Sequence, residues 1–193
     1  MFRGLYDWTM KQAAGRHAQP ALAAVSFAES SFFPIPPDVM LIPMVLARPE
    51  RAWWIATVCT ISSVLGGILG YAIGYFLFDT VGQAVLDFYG YRSAFEDFAA
   101  NYNEWGAWIV FLAGVTPFPY KVITIASGVT ALNPWIFMVA SLIARSLRFF
   151  GVAALLWKYG PPIREFIDKR LNVLGYSFLA LLVGGFVVVR FVL

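Results

Sequence analysis

Arg145 and Arg148 stand three residues apart inside a long apolar stretch, a spacing that puts two guanidiniums on one face of a helix. A guanidinium is a planar fork that holds an oxyanion through two parallel bonds and stays charged when desolvated, so the pair reads as a phosphate clamp. Lys121 follows a Pro-x-Pro turn at the start of a short apolar helix, where unpaired backbone N–H groups and the helix dipole add to its pull on an anion. Glu29 and Asp38 sit in equally apolar surroundings. Burial disfavours an ionised carboxylate and a neighbouring arginine favours it, so these two acids are the candidates for exchanging protons. A structural alternative pairs Asp38 with Lys121, and Glu29 with Arg145 or Arg148, and it can coexist with the first reading.

These charges are conspicuous because of what surrounds them. In 193 residues, 60% are hydrophobic and 13% charged, with a mean hydropathy of +0.72, far from the balance of a soluble domain. The chain reads as one all-α membrane domain, residues 1–193. Each ionisable group at membrane depth costs a few kcal/mol, roughly 2.5 or more, if it faces lipid, so the five must face each other, a watery cavity or a ligand. The single cysteine, Cys59, and the single histidine, His17, exclude a disulfide framework and a Cys/His metal cluster, and no cofactor is expected. The bases are scattered among apolar segments instead of forming a patch with aromatic platforms, which argues against nucleic acid.

The elements that must position the charges follow from length and proline. Residues 1–16 carry an interfacial helix, with Phe2, Leu5, Tyr6, Thr9, Met10 and Ala13 on one face. A cleaved signal peptide fits poorly, because the apolar run meets Glu29 and then Pro34, Pro36 and Pro37; the amino end is expected to be mature. Residues 19–33 and 38–47 are each too short to cross a core that needs about 20 residues, so they are expected to dip in and return. Residues 52–78 can span. The acid-rich stretch 79–104 is expected to lie outside as an amphipathic segment, with Ser93 and Glu96 forming a capping box. Residues 105–118 and 120–131 repeat the short, proline-broken pattern, and 134–158 and 173–193 can span. Arg3, Lys11, Arg16, Arg48, Arg51, Lys158, Arg164, Lys169 and Arg170 then fall on one side and Arg92 alone on the other. The positive-inside rule makes the richer side cytoplasmic.

The two proline regions align at an offset of 83, as Phe33-Pro34-Ile35-Pro36-Pro37-Asp38-Val39 against Thr116-Pro117-Phe118-Pro119-Tyr120-Lys121-Val122, and Trp54-Ile55 answers Trp135-Ile136 two positions out of register. The expected architecture is two inverted repeats, 19–78 and 105–158, each a re-entrant helical hairpin plus a transmembrane helix, with Pro34, Pro36, Thr116, Pro117 and Pro119 in the facing loops. Gly66, Gly70 and Gly74 recur every four residues, a stripe suited to close helix packing. The tryptophans Trp53, Trp54, Trp105, Trp108, Trp135 and Trp157 read as interfacial belts.

With Glu29-x4-Pro34-x-Pro36, Gly66-x3-Gly70-Tyr71-x2-Gly74, Thr116-Pro117-x-Pro119-x-Lys121 and the arginine pair assembled, the sequence resembles the DedA family, whose eukaryotic relatives are the SNARE-associated Golgi or VTT proteins, and within it the small YqaA-type branch. The resemblance runs from about residue 20 to 170. It implies two facing re-entrant hairpins and lipid translocation, of polyprenyl phosphate or phospholipid, with the proton-motive force often involved. It also implies that Glu29, Asp38, Arg145 and Arg148 matter. Many members carry an arginine early in the second hairpin, in a pattern like F-x-R-x-x-P-x-x-R, where this chain has Gly114 and a later Lys121.

The expectation is therefore a transporter of an anionic lipid across a bacterial inner membrane, binding its phosphate at Lys121, Arg145 and Arg148 and coupled to protons through Glu29 and Asp38. Its partners would be that lipid and protons, with a homo-oligomer left open. A membrane organiser without transport and a small-ion or solute exchanger are the alternatives. An enzyme on lipid phosphates would need a nucleophile or a metal-bound water with an acid/base partner, and no such set is present. The charge asymmetry predicts a cytoplasmic amino end and an external carboxyl end. An alkaline phosphatase fused after Leu193 should be active and one fused before Met1 inactive; the reverse pattern would invert the topology.

Overall fold

The computed structural model describes residue 15, residues 17–32, 36–116, 118–160 and residue 162, and among them all regular structure is helical. The expected interfacial helix in 1–16, the loop prolines Pro34 and Pro117 and the expected span 173–193 lie outside the described residues. Seven α-helices follow in order. They are α1 Ala18–Ser31, α2 Asp38–Ala47, α3 Ala52–Leu77, α4 Gln83–Tyr89, α5 Arg92–Val115, α6 Tyr120–Val129 and α7 Pro134–Gly160.

Among the described residues, α3 and α7 are the two helices long and apolar enough to cross a bilayer. At 1.5 Å per residue they reach roughly 39 and 40 Å. Less than a third of α3's apolar window is buried, 28%, and 33% of that of α7, so neither is the core helix of a soluble protein; both present Ile, Leu, Val and Trp outward. They run antiparallel, because Trp53 at the start of α3 stacks on Phe150 and meets Trp157 near the end of α7, whereas Tyr71 meets Phe137. Trp135 and Trp157 lie 22 residues apart on α7. That separation is ~33 Å, close to the thickness of a hydrocarbon core.

Proline chemistry cuts the remaining helices short. Pro37 precedes α2, and Pro43 lies inside it. Thr116 is pushed to an extended ψ of 166° by the proline that follows, which ends α5. Asn133 caps α7 by accepting hydrogen bonds from the N–H groups of Trp135 (2.9 Å) and Ile136 (3.4 Å), with Pro134 at the first helical position. Between α4 and α5 the chain turns through Gly90 at φ 69°, where a side chain would be strained. Arg92 closes this turn on Asp87 through bonds of 2.6 and 2.7 Å and holds that carboxyl below its ordinary range.

The helices make two turns that approach each other from opposite ends. The start of α1, the end of α2 and the start of α3 share a small cavity of about 50 Å³ lined by Ala18, Met44 and Ile55, so α1 and α2 leave and return at one end. At the other end α5 and α6 are tied by Tyr102 Oη to Ser127 Oγ (3.0 Å) and by Asn103 Nδ2 donating to the Thr130 carbonyl (2.8 Å). One apolar cluster joins α1, α2, the first half of α3 and the last half of α7; a second joins α5, α6 and the start of α7.

Two expectations need correction. Residues 105–118 are not a separate short arm, because α5 runs unbroken from Arg92 to Val115 across the 104/105 boundary. The change there is from acidic to apolar composition, and no glycine pair or proline breaks the backbone. Nor does Ser93 cap this helix: the residue preceding it is Tyr91, with no side-chain cap, and Ser93 is already inside.

The glycine stripe of α3 is where the short helices press in. A Cβ at Gly66 would overlap the Phe27 carbonyl of α1, one at Gly74 the Ile125 carbonyl of α6, and one at Gly70 the Thr124 hydroxyl. Gly151 on α7 has nothing within 4 Å. Gly66→Ala and Gly74→Ala should each lower stability by about 1–3 kcal/mol in SDS-titrated unfolding, whereas Gly151→Ala should not. Equal effects at all three positions would refute the packing.

Candidate functional site

The α1–α3 interface is built from hydroxyls that sequence reasoning passed over. Ser26 Oγ donates to the Cys59 carbonyl (2.7 Å), Ser30 Oγ pairs with Ser63 Oγ (2.7 Å) and Ser31 Oγ donates to the Gly66 carbonyl (2.8 Å). Serines four or five apart facing a small-residue helix were the available signal. They prolong α1 as a polar edge inside an apolar layer and bring Glu29 alongside Ser63.

Into this edge reaches Arg145. It lies ten residues from Trp135 and twelve from Trp157, hence near mid-depth of α7. Its side chain is 3% exposed. Nε donates to Ser63 Oγ (2.5 Å), and Nη2 to Glu29 Oε2 (2.8 Å) and Ser30 Oγ (3.3 Å). Its Cζ is 4.5 Å from the centre of the Tyr120 ring and 4.8 Å from that of Phe149, cation–π distances. Tyr120, fully buried at the start of α6, is fixed in turn by donating its hydroxyl hydrogen bond to Ser141. Thr124, one turn on, donates to the Ser30 carbonyl (3.1 Å) and so ties α6 to α1.

Arg148 leaves α7 on the same side, as i, i+3 spacing requires. Its Nη2 donates to Asp38 Oδ2 (2.7 Å) and its Nη1 to the Thr116 carbonyl (2.6 Å). Asp38 is the first residue of α2 and Thr116 the first after α5, so one guanidinium touches both turns. The carboxylate that the sequence reading paired with Lys121 is thus on Arg148, because both arginines project toward the α1–α2 turn. Glu29 takes Arg145, one of the two partners anticipated. Lys121 sits half-buried in the first turn of α6, and Pro36 and Pro119 are exposed beside the two turns.

Gly114 has a physical explanation. A Cβ there would collide with the Ala144 methyl, and the Cδ of Arg145 lies 3.7 Å from that point. An arginine at 114 has no room where α5 crosses α7, and the guanidinium beside that crossing comes from α7.

A family model described as the VTT domain matches residues 35–158, which include Asp38, Ser63, Thr116, Tyr120, Arg145 and Arg148 and begin after Glu29 and Ser30. The chain belongs to the VTT domain (DedA/SNARE-associated) family. It is accordingly a membrane protein. Two relatives of this VTT protein, uncharacterized proteins of Haemophilus influenzae and Histophilus somni, are each 37% identical over 190 residues; the matches cover 98% of this chain and 98% and 99% of theirs. No solved structure matches.

Removing one partner of a buried ion pair strands the other, and the cost is greatest where the pair is most enclosed: Arg145 and Glu29 are 3% and 14% exposed, Arg148 and Asp38 19% and 21%. Arg145→Gln and Glu29→Gln should each lower unfolding free energy by about 3–5 kcal/mol, and the double variant by clearly less than the sum. Arg148→Gln should cost clearly less than Arg145→Gln. Additive losses at 29 and 145 would refute the coupled pair.

Proposed function

We propose that this VTT protein moves an anionic lipid, a polyprenyl phosphate or a phospholipid, across the bacterial inner membrane. The observation that carries this reading is the convergence of two proline-bearing turns, from opposite ends of α3 and α7, on two arginine–carboxylate pairs at the middle of α7. Guanidiniums at that depth suit a phosphate, and half-depth turns on either side suit alternating exposure of one central site. On this reading the two turns belong to inverted repeats, 19–78 and 105–158, and the flanking bases Arg48, Arg51 and Lys158 face the cytoplasm. Lys121, in the first turn of α6, would add its charge and that helix's dipole to the attraction for phosphate.

Proton coupling enters through the same pairs. A carboxylate that gains a proton loosens its hold on its arginine, and Glu29 and Asp38 are the groups placed to do this; at Arg148, the more open of the two, a phosphate can take the carboxylate's place. No catalytic step is part of the proposal. A second reading, a membrane organiser without transport, draws on the fact that Arg145 and Arg148 already have internal partners.

Reconstitution separates the readings. In proteoliposomes the protein should carry a fluorescent phosphatidic acid or prenyl phosphate between leaflets faster than empty vesicles do, and Glu29→Gln should flatten the pH dependence. Vesicles in which solutes move and lipid does not would point to a small-ion or solute exchanger. Lipid that stays put alongside unchanged solutes would leave the organiser.

A further inference from the structure

The two arginines differ in what they leave open. Arg145 is enclosed by Ser63, Ser30, Glu29 and two aromatic rings, with 3% of its side chain exposed. Arg148 is 19% exposed and its partner Asp38 21%. Its fork is also divided: Nη2 meets one carboxylate oxygen of Asp38 while Nη1 meets the neutral Thr116 carbonyl. A divided fork forgoes the two parallel ionic bonds that a single oxyanion offers a guanidinium.

We infer that Arg148 is an exchangeable latch between the two turns, where a phosphate displaces Asp38 and the Thr116 carbonyl and thereby parts them, while Arg145 is a positioning residue that keeps α1, α3 and α7 together. The inference rests on the proposed reading for the source of the phosphate, but the latch itself is a property of the three groups. Both bonds of Arg148 end on different turns, so one incoming anion that takes both N–H groups severs both ties at once. The released carboxylate is one-fifth exposed. The released Thr116 carbonyl lies at an exposed helix end. Arg145 offers no such exchange, since a ligand reaching it would have to unseat Glu29, two serine hydroxyls and a tyrosine ring. Val39 and Phe118, 55% and 50% exposed, stand next to the latch on either turn and report its opening.

The test is a spin-label distance between Val39→Cys and Phe118→Cys in the full chain in nanodiscs; the native Cys59 is buried and escapes labelling. In pure phosphatidylcholine the distance should be short and narrow. Phosphatidic acid in the disc should add a longer component if a lipid headgroup is the ligand, and inorganic phosphate alone should do so if the free ion suffices; either result supports the latch. An unchanged distance with both probes overturns it. Arg148→Gln should show the long component in pure phosphatidylcholine and no response to either probe, and a retained response overturns the assignment to Arg148. Asp38→Asn, a gentler change, should shift the midpoint to roughly tenfold less phosphatidic acid, the equivalent of one charge-assisted hydrogen bond; an unshifted midpoint overturns the competition. Lipid movement measured on the same preparations separates this inference from the proposed function: movement without a distance change removes the latch and leaves transport, and a distance change without movement does the opposite.

Discussion

A guanidinium at the middle of a hydrocarbon core is the constraint around which this molecule is arranged. Arg145 cannot reach either surface from mid-helix without a long detour, so its charge has to be met where it stands. The structure meets it with one carboxylate, two hydroxyls and two ring faces, drawn from α1, α3, α6 and α7. Each of those helices must therefore come within side-chain reach of one point. The glycine stripe of α3 makes this possible, because α1 and α6 can then lie with their carbonyls against its backbone. A larger residue at Gly66 or Gly70 would push α1 outward and with it Glu29 and Ser30.

The short helices follow from the same demand. A turn that stops at mid-depth exposes backbone groups that lipid cannot satisfy, and they are tolerated only against protein or water. Proline lessens the problem, since Pro36, Pro37 and Pro119 bring no N–H groups to be satisfied. The carbonyls that remain find donors: Thr116 receives Arg148, and Ser30 receives Thr124. The arginines thus serve the turns as much as the turns serve the arginines, and each would be costly alone.

How much of this the sequence disclosed depended on whether the signal was local. The long apolar runs announced α3 and α7 almost to the residue, Ala52–Leu77 against 52–78 and Pro134–Gly160 against 134–158, and α2 has the anticipated limits. The i, i+3 arginines and their depth were equally legible, because helical geometry alone places them. Partners were another matter. Whether Asp38 meets Lys121 or Arg148 is decided by how the α1–α2 turn crosses α7, and nothing in the spacing reports a crossing. The same holds for Tyr120, which as a sequence letter is one aromatic among many and in space is the floor under Arg145. The break supposed at Glu104 came from reading a change of composition as a change of backbone, whereas α5 carries an acidic half and an apolar half on one continuous ladder.

The two ends of the molecule differ in charge. Beyond the end shared by α1, α2 and the start of α3 stand Arg48, Arg51 and Lys158 against one acid, Glu50; beyond the other end stand Asp79, Glu96, Asp97 and Glu104, with Asp87 already neutralised by Arg92. On the proposed reading, an anionic headgroup released from Arg148 is drawn to the first end and repelled from the second. That field eases entry and exit at the basic end alike, so it raises rates there without setting the direction of net movement. A carboxylate that changes its proton beside an arginine is a means of driving it, because it alters the competition at the one point both routes share. The same two carboxylates balance the arginines at rest, so Glu29 and Asp38 serve the fold as well as any exchange of protons.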